Sequence, residues 1–145
     1  MSSTIIGAVA RKLGGAKVLG SQVRSQGDLV RLITGGLPLD TLRAIVSSGI
    51  SRQELQVYVI PQRTFDHRAK KKQPLTVEES DRAVRLVRIQ ALAEETFDDH
   101  EKASRWLRRG LRELNGQTPL DVARTEAGAR LVETILAKIS WGAAA

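Results

Sequence analysis

Cysteine is absent from the 145 residues, which excludes disulfides, thiolate nucleophiles and cysteine-based zinc sites together. No stretch approaches the roughly 18 consecutive apolar residues of a membrane span, so none is expected. The opening Met1-Ser2-Ser3-Thr4-Ile5-Ile6 carries no basic segment ahead of its apolar residues. A secretory signal is therefore not expected, and a cytoplasmic location is predicted. His67 and His100 are the only histidines, too few and too far apart in the chain to propose a metal site. Asp98-Asp99-His100-Glu101 has ligand-type residues, but neighbours on a helix start point in different directions, and capping of a helix N-terminus explains the acids better. No glycine loop precedes a Lys-Ser/Thr, and no nucleophile has a suitable base near it in sequence. An enzyme, a cofactor and a metal are all outside the expectation.

What is present is charge, unevenly placed. The chain holds 23 Lys and Arg against 16 Asp and Glu, a net +7, with a pI near 10.4. Residues 1–75 contain 12 basic and 4 acidic side chains, net +8, while residues 76–145 contain 11 and 12, net −1. The densest basic run is Arg68-Ala69-Lys70-Lys71-Lys72. Such asymmetry is that of a half that meets a polyanion and a half that does something else, although a merely solvated basic face gives the same composition. With 41% apolar residues, a chain of this length has enough for a core, burying roughly 70% of its unfolded surface.

The apolar residues recur at helical spacing almost everywhere, and the fold class predicted is all-α. Residues 1–24 are the least legible, because Gly14, Gly15 and Gly20 interrupt the stretch begun by Ile5, Ile6 and Val9. A poorly ordered arm or a weak oligomer contact is expected there. Asp28 is expected to cap a short helix closed by Gly35-Gly36, and Pro38 to open a second that ends before Gly49. Ser51 and Glu54 form a capping box for a helix to about Tyr58, and Pro61 starts another that runs to about Lys71. Thr76 and Glu79 form a further box opening a long helix to about Phe97, with Glu78/Arg82 and Asp81/Arg85 as acid-before-base pairs. Asp98 is expected to cap the next helix, Thr118-Pro119 a short one and Thr125 the last. That last helix repeats Gly128, Leu131, Val132, Ile135, Leu136 and Ile139 as an amphipathic stripe and is expected to end at Gly142 as a C-cap.

Ser51–Tyr58 and Pro61–Lys71 together have the form of a helix-turn-helix, two short helices around a tight turn with the second one basic. Gln62, Arg63, Thr64 and His67 are assigned to base edges, and Arg68, Lys70, Lys71 and Lys72 to the phosphate backbone. Two packed helices with a solvated face would have the same pattern. Trp106 reads as a core anchor. Trp141 follows the apolar stripe and precedes a run of small residues, so it suits either a partner's cleft or docking on its own domain.

The segments Gln62-Arg63-Thr64-Phe65-x-x-Arg68 and Leu75-Thr76-x-Glu78-Glu79-Ser80-Asp81-Arg82-x-x-Arg85-Leu86 resemble the Xre/MbcA/ParS-type antitoxins of RES–Xre toxin–antitoxin modules. Ala103-x-x-Trp106-Leu107, Leu114-Asn115-Gly116-x-Thr118-Pro119-Leu120 and Gly128-x-x-x-Val132-x-x-x-Leu136-x-Lys138-Ile139-x-x-Gly142 extend the likeness to the end of the chain. The resemblance implies an Xre-like helix-turn-helix domain at 25–74 and a helical toxin-binding domain at 75–145, after the arm at 1–24. It also implies operator DNA and a RES-domain, NAD-consuming toxin as partners, and a homodimer within a larger complex. Carried over by position, Gln62, Arg63, Thr64 and Arg68 fall on the recognition helix. Leu136, Lys138, Ile139, Trp141, Gly142, Ala143, Ala144 and Ala145 fall on the toxin-facing end, with Lys138 where an arginine is common. Two alternatives stay open: a dimeric repressor whose second half only dimerises or senses a ligand, and an inhibitor that has lost DNA binding.

Overall fold

The helical spacing of the apolar residues is realised along the whole chain. The computed structural model describes residues 1–144, with side chains through Gly142, and among them all regular structure is helical. The chain divides into two units, 1–87 and 88–145. The boundary falls inside a long helix rather than at the 74/75 junction expected from sequence.

The first unit begins with α1 (Ser3–Lys12) and α2 (Gly15–Leu19), not with the poorly ordered arm expected for residues 1–24. Ser2 accepts from the Ile5 N–H at 3.2 Å and caps α1. Ile5, Val9 and Leu13 recur every four residues and are buried, as are Ile6 and Leu19. Of the glycines read as breakers, Gly14 and Gly15 join the two helices and Gly20 caps the end of α2. The Thr41 hydroxyl, fully buried, donates to the Leu13 carbonyl and ties α1 to α4 (Asp40–Ser47).

Between them lies α3 (Gln26–Gly35), capped one turn earlier than expected. Ser25 is the N-cap, and Asp28 is the third residue of the helix, completing a capping box and accepting also from the Arg24 N–H at 2.9 Å. Those backbone N–H groups, the Arg24 one foremost, hold the Asp28 carboxyl below its usual range. Pro38 precedes α4 rather than opening it. Gly36 (φ +82°) brings its Cα so close to the Leu75 carbonyl that a Cβ would sit 2.4 Å from the oxygen, a position that only glycine fills without strain.

The helix-turn-helix consists of α5 (Arg52–Tyr58) and α6 (Gln62–Lys70). The expected Ser51/Glu54 capping box is present, with bonds of 3.0 and 3.1 Å. The long helix α7 (Val77–Phe97) follows, and Thr76 and Glu79 make the box that opens it. Its side chains are buried on more than one face: Ala83, Val84, Leu86, Val87, Ile89 and Ala91, as for a helix at the centre of its surroundings.

The second unit contains the end of α7, then α8 (His100–Leu107), a 3-10 turn (Arg112–Leu114), α9 (Pro119–Val122) and α10 (Glu126–Ala144). Asp99, not Asp98, caps α8. It accepts from the Glu101 and Lys102 N–H groups at 2.9 and 3.1 Å, and the Lys102 bond first of all lowers its pKa. Asp98 occupies the left-handed link before it (φ +48°). Trp106 is buried, as expected, with its ring 5.7 Å from that of Phe97. A Cβ on Gly128 would lie 1.7 Å from the Val122 carbonyl oxygen, so the close approach of α9 and α10 depends on that glycine. The last helix does not stop at Gly142 but continues through it.

Candidate DNA-recognition and toxin-binding surfaces

The second helix of the motif, α6, has no buried residue. Gln62, Arg63, His67, Lys70, Lys71 and Lys72 are exposed, while Thr64 and Phe65 are half-buried. The Gln62 amide donates to Asp66 Oδ1 at 2.9 Å, which orients it along the helix. Seven of the eight residues assigned to DNA are thus on the surface or at its edge. The eighth, Arg68, is half-buried like Thr64 but is committed to a partner. Its side chain is 14% exposed and its guanidinium pairs with Glu79, whose side chain is 8% exposed.

The first turns of α7 hold this motif together. Burial pushes the Glu79 carboxyl up, but the Thr76 N–H, the Arg68 guanidinium and the Thr76 hydroxyl outweigh it and leave the pKa below its ordinary value. Three residues on, Arg82 donates through Nε and Nη2 to the Val59 carbonyl at 3.1 and 2.8 Å. Val59 ends α5, so this guanidinium satisfies a helix-terminal acceptor at the turn of the motif. Ser80, fully buried, accepts from the Leu37 N–H at 2.9 Å. Glu79 and Arg82 were legible in the sequence only as a cap and as an i,i+4 partner. Their long-range partners, Arg68 and Val59, are 11 and 23 residues away and gave no local signal. The expected Asp81–Arg85 pair is present at 2.7 Å.

In the second unit, α10 buries Ala129, Val132 and Leu136, worth roughly 1.5–3 kcal/mol for each large side chain. Arg88 of α7 reinforces this attachment. Its Nη2 is 3.3 Å from Glu126, and its Nε is 2.7 Å from Glu133 in a close ionic contact without hydrogen-bond alignment. The Ser140 hydroxyl donates to Thr96 Oγ1 at 3.3 Å near the far end. Leu136, assigned to a toxin surface, is only 2% exposed and belongs to the core, because the stripe that carries it is the face α10 turns inward. Lys138, Trp141 and Gly142 are exposed and Ile139 is half-buried. Trp141 is 78% exposed, so it does not dock on its own domain. Leu131, read as part of the buried stripe, is 48% exposed. Ala145 lies outside the described residues, as do the side chains of Ala143 and Ala144.

Among the described residues, no three His, Asp or Glu side chains converge as a metal cage, and His100 Nδ1 lies 2.5 Å from Glu94. No described helix is long and apolar enough to cross a membrane. By unit, residues 1–87 carry 14 basic and 7 acidic side chains and residues 88–145 carry nine of each, so the whole +7 resides with the helix-turn-helix.

The fold is that of a helix-turn-helix domain followed by a second helical domain. Residues 28–88 match the family model for the antitoxin Xre-like helix-turn-helix domain, and residues 92–142 match that for the antitoxin Xre/MbcA/ParS C-terminal toxin-binding domain. An antitoxin Xre of Pseudomonas putida is 36% identical over 110 residues, covering 76% of this chain and 69% of the relative. One from Photorhabdus laumondii is 34% identical over 89 residues, covering 61% and 60%. A protein of Sphingobium sp. named Prs ADP-ribosylating antitoxin is 35% identical over 89 residues, covering 55% and 56%. The chain belongs to the Xre/MbcA/ParS antitoxin family.

Proposed function

We propose that this antitoxin silences a RES-domain, NAD-consuming toxin by seating the end of α10 in the toxin's active-site mouth, and that it represses its own operon through α6. The observation that carries the reading is Trp141. An indole left 78% exposed on a helix whose other face is firmly packed is an anchor waiting for a pocket, and aromatic anchors dominate interface energetics. Lys138 and Gly142 flank it on the same helix, and the residues after Gly142 extend the plug. Blocking entry of the dinucleotide requires no chemistry from the antitoxin. The Sphingobium relative carries ADP-ribosylation in its name, which supports a NAD-consuming partner.

For repression, Gln62, Arg63, Thr64 and His67 address base edges, and Lys70, Lys71 and Lys72 neutralise phosphates. Two copies in a symmetric dimer would read half-sites about 34 Å apart. Expression of the adjacent open reading frame alone should arrest growth, with NAD falling, and co-expression of this chain should restore both. Rescue by a Trp141→Ala variant at equal expression would remove the plug. A harmless neighbour that does not co-purify with this chain would leave a simple dimeric repressor instead.

A further inference from the structure

Arg68 stands in the last turn of the recognition helix beside three lysines, and by charge alone it belongs with them on a phosphate backbone. Its burial and its pairing with Glu79 say otherwise. We propose that Arg68 and Glu79 are positioning residues for operator recognition, a part-buried ion pair that sets the orientation of α6 without touching DNA. The proposal rests on the DNA-binding reading above.

Because α6 buries none of its side chains fully and only Thr64, Phe65 and Arg68 are half-buried, apolar packing holds its roll about its axis loosely. Polar anchors fix it at both ends. Arg82 holds the Val59 carbonyl at the turn before α6, and Glu79 holds Arg68 near its C-terminal end. Both anchors come from one turn of α7. A buried ion pair adds little net stability over apolar side chains of the same size, but it is directional. Direction matters for base edges, which must be met within a fraction of an ångström, and hardly at all for phosphates reached by flexible lysines. Loss of the pair should therefore cost sequence discrimination and leave sequence-independent binding intact.

The full chain, Glu79→Gln, Arg68→Lys and the double variant Arg68→Met/Glu79→Gln are titrated with two duplexes over a range of salt. One duplex spans the promoter upstream of the chain's own gene, and the other is a scramble of equal length and composition. Glu79→Gln is expected to lose about tenfold or more on the promoter duplex and to hold or gain affinity for the scramble. Its salt slope should steepen by about 0.9 as Arg68 is freed to reach a phosphate. Arg68→Lys keeps a cation against Glu79 and should retain most promoter affinity. The double variant removes charge from both positions, which protects the fold, and should lose promoter preference with no shallower a salt slope than the native chain. Unchanged promoter affinity in Glu79→Gln overturns the proposal. So does a salt slope shallower by one contact in the double variant, which would make Arg68 a phosphate ligand. Equal losses on both duplexes with a lowered melting temperature would reveal a purely structural pair and overturn it as well. A native chain that never prefers the promoter duplex would instead remove the DNA-binding reading on which the proposal stands.

Discussion

In the first unit α6, the helix proposed to read DNA, is short, cationic and fully buried at no position, and it is pinned by a part-buried ion pair and an arginine on a backbone carbonyl. In the second, α10 is long and is held by a packed apolar stripe with Arg88 bracing its rim. The difference follows from what each helix has to display. A helix that offers polar groups on most of its circumference has little apolar surface left for attachment, so directional polar anchors take over. A helix with one apolar face to spare attaches by burial, and any further apolar side chain stays exposed. Leu131 and Trp141 are that surplus on α10.

The contrast can be tested at each end. Trp106→Ala should have the largest effect, costing about 3–5 kcal/mol because an aromatic core side chain leaves a cavity. Denaturant unfolding should show that loss, toxin capture should disappear, and promoter binding should persist; simultaneous loss of both activities would break the division between units. Trp141→Ala should weaken toxin binding by about 2 kcal/mol or more with no change in melting temperature, since the ring packs on nothing in its own domain. A fall in melting temperature would mean that the indole has an internal role. Arg63→Ala should cost about 1–3 kcal/mol in promoter affinity and nothing in toxin capture, as read by titration and pull-down on the same preparation.

The smallest effect expected is on acid stability. The Glu79 carboxyl, lower in the folded chain than its ordinary value of 4.5, stabilises the fold in full above that value. The contribution fades as pH falls toward and through the folded pKa, because the unfolded chain takes up the proton first. Thermal melts of the native chain should therefore decline more steeply below 4.5 than those of Glu79→Gln. Parallel declines would show that the first unit's anchor is not electrostatic.

Much of the fold was legible locally. Capping at Ser51, Thr76, Thr118 and Thr125 follows from side chains that reach backbone N–H groups three residues on, a rule that operates within one turn. The same rule misplaced the caps expected at Asp28 and Asp98, because Ser25 and Asp99 compete for them and sequence does not rank neighbours. Residues 1–24 were misread since glycines that join two helices look the same, in sequence, as glycines that end order. The family resemblance drew attention to α6 and α10 as whole helices. It did not say which residues within them face outward.

Composition and periodicity on their own carried the all-helical class and the concentration of positive charge in the first half, since each depends on neighbours within a few residues, while the helix-turn-helix pattern they gave suited two merely packed helices as well. Only tertiary structure decided that Arg68 turns inward to Glu79, that Leu136 is core while Leu131 and Trp141 are surface, and that Arg82 serves the turn at Val59. Those outcomes depend on which face of a helix meets another element, and a helical repeat tells only that a face exists.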